Sequence, residues 1–149
     1  MSKSYLLLEC LDSLDWKVYV DLCDSLTSVD RSDLDTELEN QARIYSYYHG
    51  MMMEAKRQTG IAERRLTNYS ATTAKDFRDQ LKHETRKPTD AYIQQLVSST
   101  EECQKLADEY EELRSKFDLL KALVSALEQK KDMLVQLSSN RRAEVKLYA

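Results

Sequence analysis

Residues 92–138 read YIQQLVSSTEECQKLADEYEELRSKFDLLKALVSALEQKKDMLVQLS, and this stretch decides the fold. Stepping four then three residues from Tyr92 lands on Leu96, Ser99, Cys103, Leu106, Tyr110, Leu113, Phe117, Leu120, Val124, Leu127, Lys131, Leu134 and Ser138. All but Ser99, Lys131 and Ser138 are apolar or aromatic, and a heptad stripe of that length predicts one long helix with a coiled-coil-type seam from about 89 to about 138. Pro88 suits its first turn, where the missing N–H costs nothing. Asp90 near its start and Arg141 and Arg142 near its end complement the helix dipole. Beyond Phe117 the stripe widens through Leu119, Leu123, Ala126, Met133 and Leu137. A lone helix cannot hide such a face from water. One edge is expected to pack within the protomer and the other against a neighbouring copy. Phe117, Leu120, Leu123, Val124, Leu127 and Leu134 are therefore the expected self-association residues.

The same spacing runs through the middle of the chain: Leu34, Leu38, Gln41, Tyr45, Tyr48, Met52, Ala55, Thr59, Ala62, Leu66 and Tyr69. Ser32 with Asp35 marks the expected helix start. Asn68 to Thr73 reads as a break, with Thr72 or Thr73 capping a short helix over 74–84. A loop at 85–88 then leads to the C-terminal helix. Leu7, Leu11, Leu14, Val18 and Leu22 predict one or two short helices over 5–27. The expected class is all-α: a long antiparallel helical hairpin that assembles into a homo-oligomer. The expected divisions are an acidic segment at 1–29, a central helix with a short basic helix at 30–87, and the C-terminal helix at 88–149.

Composition agrees. The 149 residues include only 2 Gly and 1 Pro, too few turns for a sandwich, a barrel or a Gly-rich nucleotide fold. Cys10, Cys23 and Cys103 have no metal-ligand or disulfide spacing, which suits a reducing cytoplasm. The apolar run Leu6-Leu7-Leu8 is too short for a signal core or a membrane span, so no membrane partner and a cytoplasmic location are expected.

Chemistry has little to work with. His49 and His83 stand in no zinc motif, and neither a Walker loop nor a nucleophile elbow occurs. Asp30, Asp33, Asp35 and Glu37 lack the central glycine of a calcium loop. The acidic residues Asp21 to Asp35 read as caps and solvated positions, or as a surface that repels DNA or docks a basic partner. The chain is expected to be no enzyme and to need no cofactor.

The formal net charge of −4 conceals an uneven distribution. Residues 1–40 hold 10 acids and 3 bases, whereas residues 41–87 hold 10 bases and 5 acids. Lys75, Arg78, Lys82 and Arg86 recur at helical spacing, and Lys56, Arg57, Arg64 and Arg65 form two basic pairs before them. Tyr45, Tyr47, Tyr48, Tyr69 and Phe77 are interleaved. Cations for phosphates with aromatic rings for bases is a pattern that binds single strands without sequence preference. The alternative is that the bases solvate a helix face and the tyrosines pack the hairpin. Tyr45, Tyr48 and Tyr69 lie on the seam; Tyr47 does not.

Three stretches resemble the UvsY-like recombination mediators of bacteriophages. They are Arg43-Ile44-Tyr45-Ser46-Tyr47-Tyr48, Arg64-Arg65-Leu66-Thr67-Asn68-Tyr69-Ser70, and the run Leu119 to Arg142 with its Lys130-Lys131-Asp132-Met133. The likeness covers about 30–142. Arg65 and Tyr69 match the family's basic motif; Glu63 stands where the family has Lys, with Arg64 beside it. The resemblance implies a non-catalytic protein of the host cytoplasm that forms ring-shaped homo-oligomers. It implies binding to single-stranded DNA, displacement of the single-strand-binding protein and loading of the phage recombinase, an ATPase. The residues expected to meet DNA are Lys56, Arg57, Arg64, Arg65, Tyr69, Lys75, Arg78 and Lys82. The rival reading is a coiled-coil adaptor or phage assembly protein that does not bind DNA.

Overall fold

The computed structural model describes residues 13–83 and 88–148. Within them the chain forms four α-helices: α1 (Trp16–Thr27), α2 (Leu34–Gln80), α3 (Asp90–Ser98) and α4 (Glu101–Tyr148). Leu81–His83 add a 3₁₀ turn to the end of α2. The expected all-α class stands, and the described residues contain no strand. Among the described residues, no helix is long and apolar enough to cross a membrane. The chain divides into two compact units, one of residues 1–55 and 116–149 and the other of residues 56–115. α2 and α4 each run through both.

In the first unit α1 begins where Asp15 Oδ1 accepts the amide of Val18 at 2.9 Å, an N-cap that satisfies an otherwise orphaned donor. It stops at Ser28, whose ψ of 146° leaves the helix. α2 is capped by Asp33, which accepts from Thr36 N at 3.3 Å. Ser32, the expected cap, bonds instead to Asp30 Oδ1 through both its amide and its hydroxyl.

α2 and α4 run antiparallel in this unit. Glu37 meets Lys130, Gln41 donates to the Leu127 carbonyl, and Met51 packs with Leu120. Leu14, Met51, Ala55 and Leu120 form a buried cluster, with Tyr19, Leu22, Tyr48, Met52, Phe117 and Leu119 packed around it.

This packing redirects the expected self-association residues. Leu120, Leu123, Val124, Leu127 and Leu134 are buried within a single chain and Phe117 is half-buried, so their apolar area is already taken. The stripe widens after Phe117 because α4 faces α1 as well as α2. Tyr19 and Leu22 of α1 join Leu119 in the cluster, and Lys130 reaches the Leu26 carbonyl. The apolar side chains that α4 leaves outward are others, among them Met133 and Val135.

The second unit is built on the cluster Ala74, Ile93, Val97 and Cys103, with Leu66, Tyr69, Phe77 and Leu81 against it. Here two expectations are corrected. The break at 68–73 does not occur: α2 is continuous, because Tyr69 and Ala74 bury against α3 and α4. That burial outweighs the few tenths of a kcal/mol that each Ser, Thr or Asn costs in a helix interior. The break falls instead at Ser99–Thr100. Thr100 Oγ1 donates to the Val97 carbonyl at 2.7 Å and accepts from Cys103 N at 3.3 Å, closing α3 and capping α4 with one hydroxyl. The interruption shifts the register, so Ile93 and Val97 are buried rather than Tyr92 and Leu96. α3 is capped by Thr89, which leaves Pro88 outside the helix. Residues 5–12 of the one or two helices expected over 5–27, and residues 85–87 of the loop expected at 85–88, Arg86 among them, lie outside the described residues.

Candidate nucleic-acid interface

The expected cations all belong to the second unit. Lys56, Arg57, Arg64, Arg65, Lys75 and Arg78 project from α2 and Lys82 from the 3₁₀ turn after it, and all seven are exposed. At 100° per residue, Arg57, Arg64 and Lys75 fall within about 20° of one another. They lie on the side opposite Ala62 and Leu66, which face the packed interior. The line from Arg57 to Lys75 spans five turns, about 27 Å. Lys56 and Arg78 flank it on one side and Arg65 on the other.

Carboxylates meet Arg65, Arg78 and Lys82. Arg65 pairs with Glu109 of α4 at 3.3 Å and Arg78 with Asp90 of α3 at 2.9 Å. Lys82 pairs with Asp79, one turn back on its own segment. The Lys82 ammonium, with Lys75 adding attraction, holds the Asp79 carboxyl below the usual aspartate range. All three pairs are exposed to solvent. Exposed pairs contribute little to stability and exchange readily with other anions. Arg64 turns its Nε to the Gly60 carbonyl at 3.1 Å, a bond along its own helix. Lys56, Arg64 and Lys75 form no salt bridge among the described residues.

The aromatic half of the expected pattern comes apart. Tyr69 is not on the cationic face: its ring packs against the buried cluster, and its hydroxyl donates to Thr100 Oγ1 at 3.3 Å. Phe77 packs there too. Tyr45, Tyr47 and Tyr48 belong to the first unit. Tyr45 donates to Glu128 at 2.9 Å and lies against His49, with ring centres 5.6 Å apart. Tyr47 is exposed, edge-on to Tyr48 at 5.1 Å. An aromatic ring that the second unit does expose is Tyr92 of α3, at 48 %. Heptad spacing had put it on the seam, and only the break at Ser99–Thr100 turns it out.

The acidic residues near the start of α2 are engaged locally. Asp30 Oδ1 accepts two bonds from Ser32, which hold its carboxyl below the usual range, and Asp33 caps α2. Among the described residues, no group of three or more His, Cys, Asp or Glu side chains is placed to hold a metal ion. What the second unit offers is a cationic line suited to an anionic polymer.

Family models, curated proteins and solved structures were each compared with this chain, and none matches it.

Proposed function

We propose that the chain is a single-stranded DNA-binding recombination mediator. It assembles into a homo-oligomer, displaces single-strand-binding protein and loads a recombinase, the partner ATPase, onto the strand. What carries the reading is the outward line Arg57, Arg64 and Lys75 on α2, flanked by Lys56, Arg65 and Arg78, with Lys82 on the turn that follows. An unpaired strand laid along this face gains phosphate contacts, and the exposed ion pairs yield to it because phosphate replaces one oxyanion with another. A handful of contacts per protomer binds weakly; several copies on one strand multiply the affinity. Loading needs no bond chemistry, only a grip that holds the strand in a geometry the recombinase prefers.

The adaptor reading draws on a different observation. Arg65–Glu109 and Arg78–Asp90 tie α2 to α4 and α3, which gives those two cations a structural use. Fluorescence anisotropy with labelled oligo-dT over a salt series separates the two. The nucleic-acid reading expects saturable binding whose log–log salt slope becomes shallower by about 1.4 in the double variant Arg64→Ala, Lys75→Ala, at about 0.7 per lost phosphate contact. An unchanged affinity in that variant removes this face and leaves the adaptor.

A further inference from the structure

Two faces of α2 differ in what covers them in the first unit. Glu37, Asn40, Arg43 and Ile44 line a pocket with Ser25 and Leu26 at the end of α1. On another face, Leu34, Leu38, Gln41, Ala42 and Tyr45 line a groove against α4. The groove comprises cavities of about 640 Å³ and about 370 Å³ that share Leu38. No α1 residue lines either of them.

Three observations define its occupant. The α4 wall is aliphatic where it is open: Val135 is 52 % exposed and Val145 is 64 %. The groove carries Lys131, Arg141, Arg142 and Lys146 with the carboxylates Asp35 and Glu128; Asp132 meets Lys131 at 3.6 Å, and Glu128 is held by the Tyr45 hydroxyl. Gln41 is 4 % exposed; its Nε2 donates to the Leu127 carbonyl at 2.7 Å, while its buried Oε1 has no hydrogen-bond partner among the described residues. A buried amide oxygen without a donor is uncommon, and this one belongs to a residue that lines the groove.

We propose that this groove receives an acidic amphipathic helix of a partner protein. Aliphatic side chains at three- and four-residue spacing would lie on Leu38, Val135 and Val145. Carboxylates would meet Arg141, Arg142 and Lys146 through charge-assisted bonds. A side-chain N–H or O–H at the centre would reach Gln41 Oε1. A polynucleotide fits this chemistry less well. The walls are aliphatic, the lining ring of Tyr45 has its hydroxyl committed to Glu128, and two carboxylates oppose phosphates. The inference stands on the first unit alone and does not rest on the nucleic-acid reading.

The probe is a fluorescein-labelled 18-residue peptide with Leu at heptad a and d positions, Glu elsewhere and one central Asn, titrated with the full chain. Controls are a scrambled peptide of the same composition and one with Lys in place of Glu. The acidic amphipathic peptide is expected to bind saturably and more tightly than either control. Arg141→Glu with Lys146→Glu, and separately Val135→Asp, should each weaken it by about tenfold or more. These positions are exposed, so circular dichroism melting should show the fold retained. Gln41→Met should keep the fold and weaken the peptide by several-fold. Arg64→Ala with Lys75→Ala should leave peptide affinity unchanged. Equal binding of the scrambled peptide, no saturable binding, or full affinity in the Arg141, Lys146 variant overturns the proposal. Displacement of the peptide by oligo-dT in the Arg64, Lys75 variant would overturn it as well, by assigning the groove to nucleic acid.

Discussion

Lys130 shows how one residue can hold an arrangement that periodicity does not reveal. Heptad spacing put Lys131 on the seam, yet Lys131 is exposed and Lys130 is buried, its side chain 5 % accessible. Its ammonium sits 2.7 Å from Glu37 Oε2 and donates to the Leu26 carbonyl at 3.0 Å. Glu37 Oε1 in turn accepts the Asp30 amide at 3.3 Å. One cation therefore joins the end of α1, the segment before α2, the first turn of α2 and the middle of α4. Desolvating a lysine is costly, and the carboxylate and carbonyl offset that cost only while both are present. Lys130→Met should lower stability by about 2–3 kcal/mol in urea unfolding, because Glu37 and the Leu26 carbonyl then lose their donor. Glu37→Gln combined with Lys130→Met should cost less than the two single changes added together, since the second change removes a charge the first has stranded. Additivity would show that the pair is not coupled.

At the scale of the element, the long helices tolerate local weakness where packing supports them. Gly60 lies inside α2, and a methyl group placed on its Cα would meet nothing within 4 Å. Its φ is not positive, so no special backbone requires glycine there. Gly60→Ala should raise stability by about 0.5–1 kcal/mol, through helix propensity and a less disordered unfolded chain. A fall in the thermal midpoint would mean that glycine has a role the fold does not disclose. Interruption of the C-terminal helix is the opposite case. Nothing in the apolar periodicity interrupts the pattern at Ser99–Thr100, but Ser99 and Thr100 are two small hydroxyl residues in succession. Such side chains compete for backbone partners. Tyr69 then adds its own bond to Thr100, so the cap is completed from another helix.

For the whole molecule, the question is which face meets a second copy. Leu127 is fully buried and belongs to the protomer's own core. Leu127→Ala should cost about 2–5 kcal/mol in unfolding, the usual range for a cavity of that size. Met133 is 43 % exposed on α4, so Met133→Glu should leave the melting temperature near its original value. If copies associate through the outward face of α4, the same variant should shrink the species seen by light scattering. A wild-type chain that scatters as a monomer would remove assembly from the proposal.

Much was legible in the sequence because the relevant forces are local or periodic. Scarce glycine and proline, a four-three apolar rhythm and clustered cations dictated long helices, an antiparallel seam and a basic middle segment. These follow from chain geometry, which repeats every 3.6 residues whatever the neighbours are. Three things required tertiary contacts. Whether Asn68 to Thr73 breaks a helix depended on Ile93, Val97 and Cys103 lying across from it. Whether Phe117 to Leu134 faces outward depended on α1 folding back onto α4. Which cations meet carboxylates of other helices depended on Glu109 and Asp90, residues 44 and 12 positions away from Arg65 and Arg78. Burial and pairing are properties of what arrives from elsewhere in the chain. A one-dimensional pattern can name a face, but only the packed molecule decides what covers it.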